Sequence, residues 1–247
     1  MPALTWDDIG ERFYETGVDH GVLYIPDAVG VYAEGVAWNG LVTVTESPTG
    51  AEANAQYADN IKYLNLFSAE EFGATIEAFT YPDEFAAFDG LAEPETGVFL
   101  SQQNRGVFGL SYRSKVGNDL EGEDHGYKLH LVYGCKASPS EKAYSTINDS
   151  PEPITFSWEI TTTPAPATGY RPTSLIVIDS RTVDPAKLTA FEAIIYGDTV
   201  AAKLPTPDEV IAAFAVVGMD AFSDEENGTT SQRRKTRTNP DGTVVEP

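Results

Sequence analysis

The chain has 247 residues, with 38 acidic side chains against 16 basic ones and a formal net charge of -22 at pH 7. Because nucleic acids and anionic membranes are bound chiefly through Lys and Arg, this balance argues against extensive binding to either surface. Hydrophobic residues make up 41% of the chain and aromatic residues 11%, so the composition is that of a folded protein rather than a disordered one.

The chain opens with a pattern that predicts a short helix. Thr5 is followed three residues later by Asp8, and the helical spacing of Trp6, Ile9 and Phe13 predicts a short capped helix or turn that ends at Gly17. Short β-rich segments bounded by Gly and Pro follow. The predicted strands of this region are Val22–Ile25, Val29–Ala33, Leu41–Thr45, Ile61–Phe67 and Phe72–Phe79.

The Ile61–Phe67 segment differs from an ordinary half-buried strand. Apolar side chains occupy both of its alternating faces, so both faces are expected to need cover from the interior of a sandwich or from another subunit. A helical turn with Phe85 and Phe88 on one side is predicted at Pro82–Phe88.

The second half of the chain continues the β pattern and then turns helical. Val107–Lys115 and Tyr127–Lys136 predict a hairpin around an acidic turn, and Ile154–Thr163 predicts a further strand. The apolar run in Ser174–Asp179 predicts a strand buried on both faces. Two helices are then predicted, an amphipathic one at Pro185–Tyr196 and a capped one that starts at Thr206 and fades by Gly218.

These elements favour one folded domain over residues 1–218 and a flexible tail over 219–247. The tail carries a basic cluster, which is more typical of a solvated charge run than of a binding site. Its members are Arg233, Arg234, Lys235 and Arg237. The longest apolar run, Val210–Met219, is far shorter than the about 20 residues that a membrane-spanning helix needs.

Catalytic and metal-binding patterns are weak. His125 and His130 are five residues apart, so on one strand they would face opposite ways and could not share a metal ion. The single cysteine, Cys135, lies in an apolar strand pattern that is typical of a buried and inert thiol, and it excludes an internal disulfide. The residues Met1–Asp8 lack the features of a signal peptide, so we expect the chain to remain in a reducing compartment.

Three long strings resemble the major tail protein, or tail tube protein, of long-tailed non-contractile bacteriophages of Gram-positive hosts. They are GVAWNGL (Gly35–Leu41), YADNIKYLN (Tyr57–Asn65) and SAEEFGATIEAFTYPDEF (Ser68–Phe85). Two shorter segments, Glu11–Asp19 and Pro205–Val210, resemble the same family. The region Leu91–Thr168 resembles it only in the order of its strands.

The resemblance implies a mainly β, sandwich-like or barrel-like tail tube fold with flanking helices, protruding loops and an N-terminal arm. It implies hexameric rings that stack into a hollow tube for DNA ejection, with tail adaptor, terminator and tape-measure proteins as partners. The protein would lie in the virion tail after assembly in the host cytoplasm, with no catalysis, cofactor, metal or membrane, and with DNA passing through unbound. Ring-to-ring contacts are expected in the long loops at Ser47–Tyr57 and Gly90–Asn104.

The net charge then suggests an acidic channel wall that discourages DNA from adhering. The candidate lumen-facing acids are Glu70, Glu71 and Glu77. Two other classes of function remain open at this stage. One is a β-sandwich binding or decoration module on a particle or cell surface, and the other is a carboxylate-based hydrolase.

Overall fold

Strands dominate the chain, as the sequence predicts. The computed structural model describes residues 4–147, 149 and 152–215, so the expected tail and its basic cluster lie outside the described residues. The helical elements described are α1 (Pro185–Ile195), α2 (Pro207–Phe214) and a 3-10 turn at Asp83–Ala87. The described strands are β1 (Tyr14–Pro26), β2 (Tyr32–Trp38), β3 (Leu41–Glu46), β4 (Thr49–Gly50), β5 (Ala53–Ala58), β6 (Ile61–Phe67), β7 (Glu70–Glu71), β8 (Gly73–Ala78), β9 (Ala92–Glu95), β10 (Val98–Leu100), β11 (Phe108–Asn118), β12 (Gly122–Ala137), β13 (Phe156–Thr162) and β14 (Leu175–Asp179).

Eight of these strands form one antiparallel sheet. Its order is β2-β1-β11-β12-β13-β8-β3, with β14 also paired to β12. On the side of β12 away from β11, the pairing partner changes along the strand. Residues 128–132 of β12 pair with β14, and residues 135–137 pair with β13. Gly134 lies where the partner changes and has a φ of 62°, which a residue without a Cβ adopts readily. The glycine therefore allows one long strand to pair with β14 in its first part and with β13 in its last part, and so to join the two halves of the sheet.

The central strands are apolar on both faces because each face has its own cover. Leu23 of β1 belongs to a core that also contains Trp158 and Ile76, so the two halves of the sheet pack face to face. The neighbouring Tyr24 belongs to a second core, which contains Phe191 of α1. Helix α1 therefore packs on the outside of the sandwich, as its amphipathic pattern predicts.

The helix starts agree with their capping signals. The Asp184 side chain accepts hydrogen bonds from the backbone N–H groups of Ala186 and Lys187 at the start of α1. At the start of α2, Thr206 and Glu209 exchange hydrogen bonds in a capping box. Local sequence therefore fixes both starts.

Of the helix or turn predicted at the N-terminus, the helix is wrong and a turn is present. Residues 4–13 form no helix, the Glu11 N–H donates to the Asp8 carbonyl oxygen in a turn, and β1 begins at Tyr14, before the predicted stop at Gly17. Trp6 and Ile9, two members of the predicted apolar stripe, are 76% and 75% exposed. A helix this short depends on packing its apolar face, and the described residues leave Trp6 and Ile9 without such packing.

Two further predictions need correction. The predicted strand Val29–Ala33 is mostly a turn, because the Asp27 carboxylate accepts hydrogen bonds from the N–H groups of Val29 and Val31, and β2 runs from Tyr32 to Trp38 instead. The predicted burial of β14 on both faces is also wrong, since Val177 is 45% exposed. This strand pairs only with β12 among the described strands and lies at an edge of the sheet.

Candidate assembly surfaces

A long β-ribbon extends from the edge of the main sheet. The β3–β8 pair continues into the short β4–β7 pair and then into the β5–β6 hairpin. Residues 49–71 form this projecting ribbon, and its tip is a two-residue turn at Asp59 and Asn60, whose φ values are 51° and 63°. Positive φ at both central residues defines a type I′ turn, which matches the twist of a hairpin.

The projecting ribbon exposes large apolar side chains on both faces. Every residue of β6 is exposed, and within it Tyr63 and Phe67 on one face are 68% and 67% exposed. Leu66, on the other face, is 57% exposed. Of the two kinds of cover that the sequence predicts, the described residues do not supply a sandwich interior around this strand, and cover by another subunit stays a prediction.

The ribbon also leaves backbone groups unpaired at its edges. β5 and β6 form a two-stranded sheet of their own, so the outer edge of each strand has no partner strand in the described chain. An isolated two-stranded hairpin is marginally stable in water, and an apolar open edge favours pairing with another chain. The projecting ribbon therefore has the features of an association surface.

A second surface covers the outward face of β3, β8 and β13. Strand register places Thr43 and Ser157 on either side of Glu77, and Thr45 and Glu159 on either side of Thr75. We call this surface the hydroxyl-acid face. Its members are Thr43, Thr45, Thr75, Glu77, Ser157, Glu159 and Thr161, and the exposed Lys136 of β12 pairs with Thr161 at one border of this face.

The opposite side of the same strands is apolar. Ala74, Ile76 and Ala78 of β8 are buried, as are Trp158 and Ile160 of β13. The sequence carried this signal as strict alternation in both strands, which could have identified the hydroxyl-acid face. Glu159 was not among the predicted acids, because pairing between distant strands, rather than local pattern, brings it beside β8.

The three candidate lumen acids do not lie together on one surface. Glu77 belongs to the hydroxyl-acid face, where its carboxylate accepts a hydrogen bond from the Thr43 hydroxyl at 3.1 Å. Glu70 and Glu71 form β7 at the base of the projecting ribbon. Their orientation toward a lumen remains a prediction for all three.

The two segments expected to be contact loops both contain strands. Residues 47–57 contain β4 and most of β5, so this segment belongs to the projecting ribbon. Residues 90–104 contain the β9–β10 pair, which exposes Val98, Phe99 and Leu100 by about half of their surface (52%, 51% and 52%). Their role in ring-to-ring contacts stays a prediction.

A polar network at one end of the sandwich joins β3 to the central strands. The Tyr112 hydroxyl donates to Glu46 Oε1 at 2.7 Å, and His130 Nδ1 lies 3.1 Å from the same oxygen. Ser114 Oγ lies 3.0 Å from His130 Nε2, and the Tyr112 ring stacks on the imidazole at 4.6 Å. His130 is thereby enclosed among protein partners, whereas His125 contacts Glu121 near the β11–β12 turn. The structure does not bring the two histidines together.

We expect the Glu46 carboxylate to stabilise the fold in a pH-dependent way. The His130 ring, and after it the Tyr112 hydroxyl, lowers the pKa of Glu46 below its ordinary value of 4.5 despite partial burial. A carboxyl group with a lowered folded-state pKa contributes stability above its unfolded-state pKa and loses it as the pH falls through the folded-state value. Glu46→Gln should therefore cost about 1 kcal/mol near neutral pH, an amount kept small by solvent screening.

Urea unfolding at a series of pH values measures this effect. The difference between wild type and Glu46→Gln should shrink toward zero as the pH falls below 4.5. A difference that stays constant over that range would show that the carboxylate charge has no such role.

The described residues assemble neither a reactive thiol nor a metal centre. Cys135 is fully buried, and burial raises the pKa of its thiol, so the predicted burial is confirmed. Within residues 4–147, 149 and 152–215, no three His, Cys, Asp or Glu side chains are grouped closely enough to hold a metal ion. None of the helices in that part of the chain has the length and apolar character required to cross a membrane.

Comparison with solved structures finds several neighbours of low similarity. No family model and no curated protein matches the chain. One solved neighbour is from the anti-feeding prophage baseplate, with 10% identity, a TM-score of 0.34, and coverage of 71% of this chain and 97% of the other. Another is from the sheath-tube complex of an extracellular contractile injection system, with 12% identity, a TM-score of 0.30, and coverage of 70% and 93%. Likeness at this level carries no inference about function, so the resemblance to non-contractile tail tube proteins stays a prediction.

Proposed function

We propose that this protein is a structural subunit of a phage-type tail, and that its copies close into hexameric rings that stack as a hollow tube for DNA ejection. The observation that carries the proposal is the projecting ribbon, which is apolar on both faces and unpaired at both edges. Cover by a second copy would remove this surface from water. Each large apolar side chain buried in this way would stabilise the contact by about 1.5–3 kcal/mol. The resemblance of the same ribbon, Tyr57–Asn65, to tail tube proteins supports this choice of assembly.

The hydroxyl-acid face is proposed as the wall of the channel. A sheet face that carries Glu77 and Glu159 among hydroxyl groups is suited to water and repels a phosphate backbone. Screening limits this repulsion to about 8 Å at physiological salt, so only charges at the wall would act on the DNA. DNA would pass without being bound, and the proposed function needs neither a catalytic group nor a cofactor.

The proposed location is the tail of a virion, after assembly in the host cytoplasm. In a tube of stacked rings, the two ends present different surfaces, since head-to-tail contacts join unlike faces of each subunit. Adaptor and terminator proteins would cover these ends, and a tape-measure protein would occupy the channel during assembly. The family resemblance supports these partners, and it favours a non-contractile tail.

Sedimentation and electron microscopy of the purified chain at rising concentration test this proposal. We expect monomers to give way to rings or tubes as the concentration increases. A strict monomer at every concentration would contradict self-assembly. Glycan or protein binding by such a monomer would instead favour a decoration module, and turnover that depends on a single carboxylate would favour a hydrolase.

A further inference from the structure

A buried ion pair joins two segments that are distant in the chain. Asp89 follows the 3-10 turn at Asp83–Ala87, and Lys142 lies 53 residues later, in the segment after β12. Lys142 Nζ lies 2.5 Å from Asp89 Oδ2. The Asp89 side chain is only 4% exposed and that of Lys142 is 23% exposed, so the contact is largely shielded from solvent.

Polar and aromatic groups enclose this pair. The Trp158 indole N–H donates to Asp89 Oδ1 at 3.1 Å, and Arg105 Nη1 donates to the same oxygen at 3.4 Å. On the other side, Lys142 Nζ lies 5.5 Å from the ring centroid of Tyr81 and 5.8 Å from that of Phe156. The two oxygens of the carboxyl group therefore have different roles, since Oδ1 is held by two donors and, among the described residues, Oδ2 contacts the lysine alone.

We propose that Lys142 and Asp89 condense into an intramolecular isopeptide bond. The ammonium first gives a proton to Oδ2, which leaves a neutral amine beside a carboxylic acid. The Nζ lone pair then attacks Cγ, and the Cγ=O bond to Oδ1 becomes a single bond with the charge on that oxygen. A second proton passes from nitrogen to Oδ2, the Cγ–Oδ2 bond breaks, and one water molecule leaves as the amide forms.

The groups around Asp89 and Lys142 supply two things that amide formation needs, stabilisation of the developing charge and a fixed approach of the amine. Arg105 and Trp158 already donate to Oδ1, where negative charge develops in the tetrahedral intermediate, so they stabilise that charge without rearrangement. Holding the amine against the carboxyl group raises its effective concentration, which reaches about 10⁵ M or more in well-oriented intramolecular reactions. No cofactor or oxidant is required, because the products are an amide and water.

The bond would act as a covalent brace. The single cysteine excludes a disulfide within the chain, and an amide between residues 89 and 142 would close a large loop that contains β9 to β12. The inference does not depend on the proposed tail function, because it concerns the folded subunit alone. Its test can therefore fail while self-assembly holds, and the reverse is also possible.

Intact mass measurement of the purified, denatured chain tests the proposal. After prolonged incubation of the folded protein at neutral pH, we expect a mass lower than the calculated one by one water. Peptide mapping should find a branched peptide that joins Asp89 to Lys142, with no tryptic cleavage after Lys142. The full calculated mass, or a linkage at other residues, would overturn the proposal.

Two controls distinguish the isopeptide bond from other reactions that lower the mass by one water. Asp89 precedes Gly90, and an Asp-Gly pair can lose water by forming a cyclic imide with its own backbone, but that product leaves the two peptides separate. Lys142→Arg keeps the positive charge and should abolish the branched peptide, whereas a cyclic imide would persist. The contact between Lys128 and Glu15 is more exposed, at 26% and 50%, and should remain unlinked in the same sample.

A further variant tests the role of the indole donor. Trp158→Phe keeps an aromatic ring in the core but removes the N–H group that bonds Oδ1. The branched peptide should then accumulate at least about tenfold more slowly, because one donor to the developing charge is lost. An unchanged rate would contradict the assigned role of Trp158.

Discussion

Phe67→Asp is expected to prevent self-assembly at concentrations at which the wild-type chain is predicted to form rings or tubes. Phe67 lies in β6 of the projecting ribbon and is 67% exposed in the subunit, so the change removes little internal packing. In the assembly it would place a charge where an apolar side chain should be buried, at a cost of about 2 kcal/mol or more per contact. The concentration at which assembly begins should rise at least about tenfold.

Tyr170→Asp is the matched control for this variant. Tyr170 is 74% exposed, lies outside the projecting ribbon and undergoes the same change from an aromatic ring to a carboxylate. Sedimentation should show normal assembly of Tyr170→Asp and monomers of Phe67→Asp, while urea unfolding should show similar stability for both subunits. Normal assembly of Phe67→Asp would exclude this part of the ribbon from the association surface.

The second large expected effect concerns β12, the strand that pairs with both β14 and β13. Gly134→Ala should lower the free energy of unfolding by about 3 kcal/mol or more. The φ of 62° costs a residue with a Cβ about 1–2 kcal/mol. The added Cβ would also overlap the Thr163 carbonyl oxygen, and relieving such an overlap by backbone movement costs about 1–3 kcal/mol.

Gly122→Ala separates these two contributions. Gly122 lies at the start of the same strand with a φ of 63°, but a Cβ there would meet no atom within 4 Å. Denaturant unfolding should therefore show a loss of only about 1 kcal/mol for Gly122→Ala, from the backbone conformation alone. Equal losses in the two variants would mean that the Thr163 contact is relieved at no cost, and that the change of pairing partner does not depend on Gly134.

Local pattern predicted the elements that depend on neighbouring residues. The bounds of β6 match the predicted Ile61–Phe67, α1 starts at the predicted Pro185, and the predicted cap Thr206 directly precedes α2. The turn between β11 and β12 is shorter than predicted, because pairing continues to Asn118 and Gly122 beyond the apolar part of each strand. Backbone hydrogen bonds can extend a hairpin through polar residues, which a hydrophobic pattern does not reveal.

The features that sequence analysis missed depend on contacts between distant segments. The spacing of Trp6 and Ile9 is typical of a helix face. Both side chains are exposed in the described structure, and the folded chain rather than the local spacing decides whether a packing surface is available. The pairing of Glu77 with Ser157 and Thr43 requires strand order, and the Asp89–Lys142 contact requires the packing of two loops. No local spacing predicts either of them.

The acidity of the chain can now be assigned in part to a surface. The sequence shows only an excess of carboxylates, whereas the structure places Glu77 and Glu159 on a sheet face that is otherwise hydroxyl-bearing. The projecting ribbon carries carboxylates as well, with Glu70 and Glu71 at its base and the exposed apolar side chains of β6 nearer its tip. In the proposed assembly, those apolar side chains would supply the contacts between like-charged subunits.

Reconstruction of the assembled particle by electron cryomicroscopy tests most directly the claim that this protein builds a channel from copies of itself. The account predicts stacked rings in which β6 of each copy is buried against another copy and the hydroxyl-acid face lines a water-filled channel. An assembly whose ribbons remain in solvent, or whose channel wall presents mainly Lys and Arg, would contradict it.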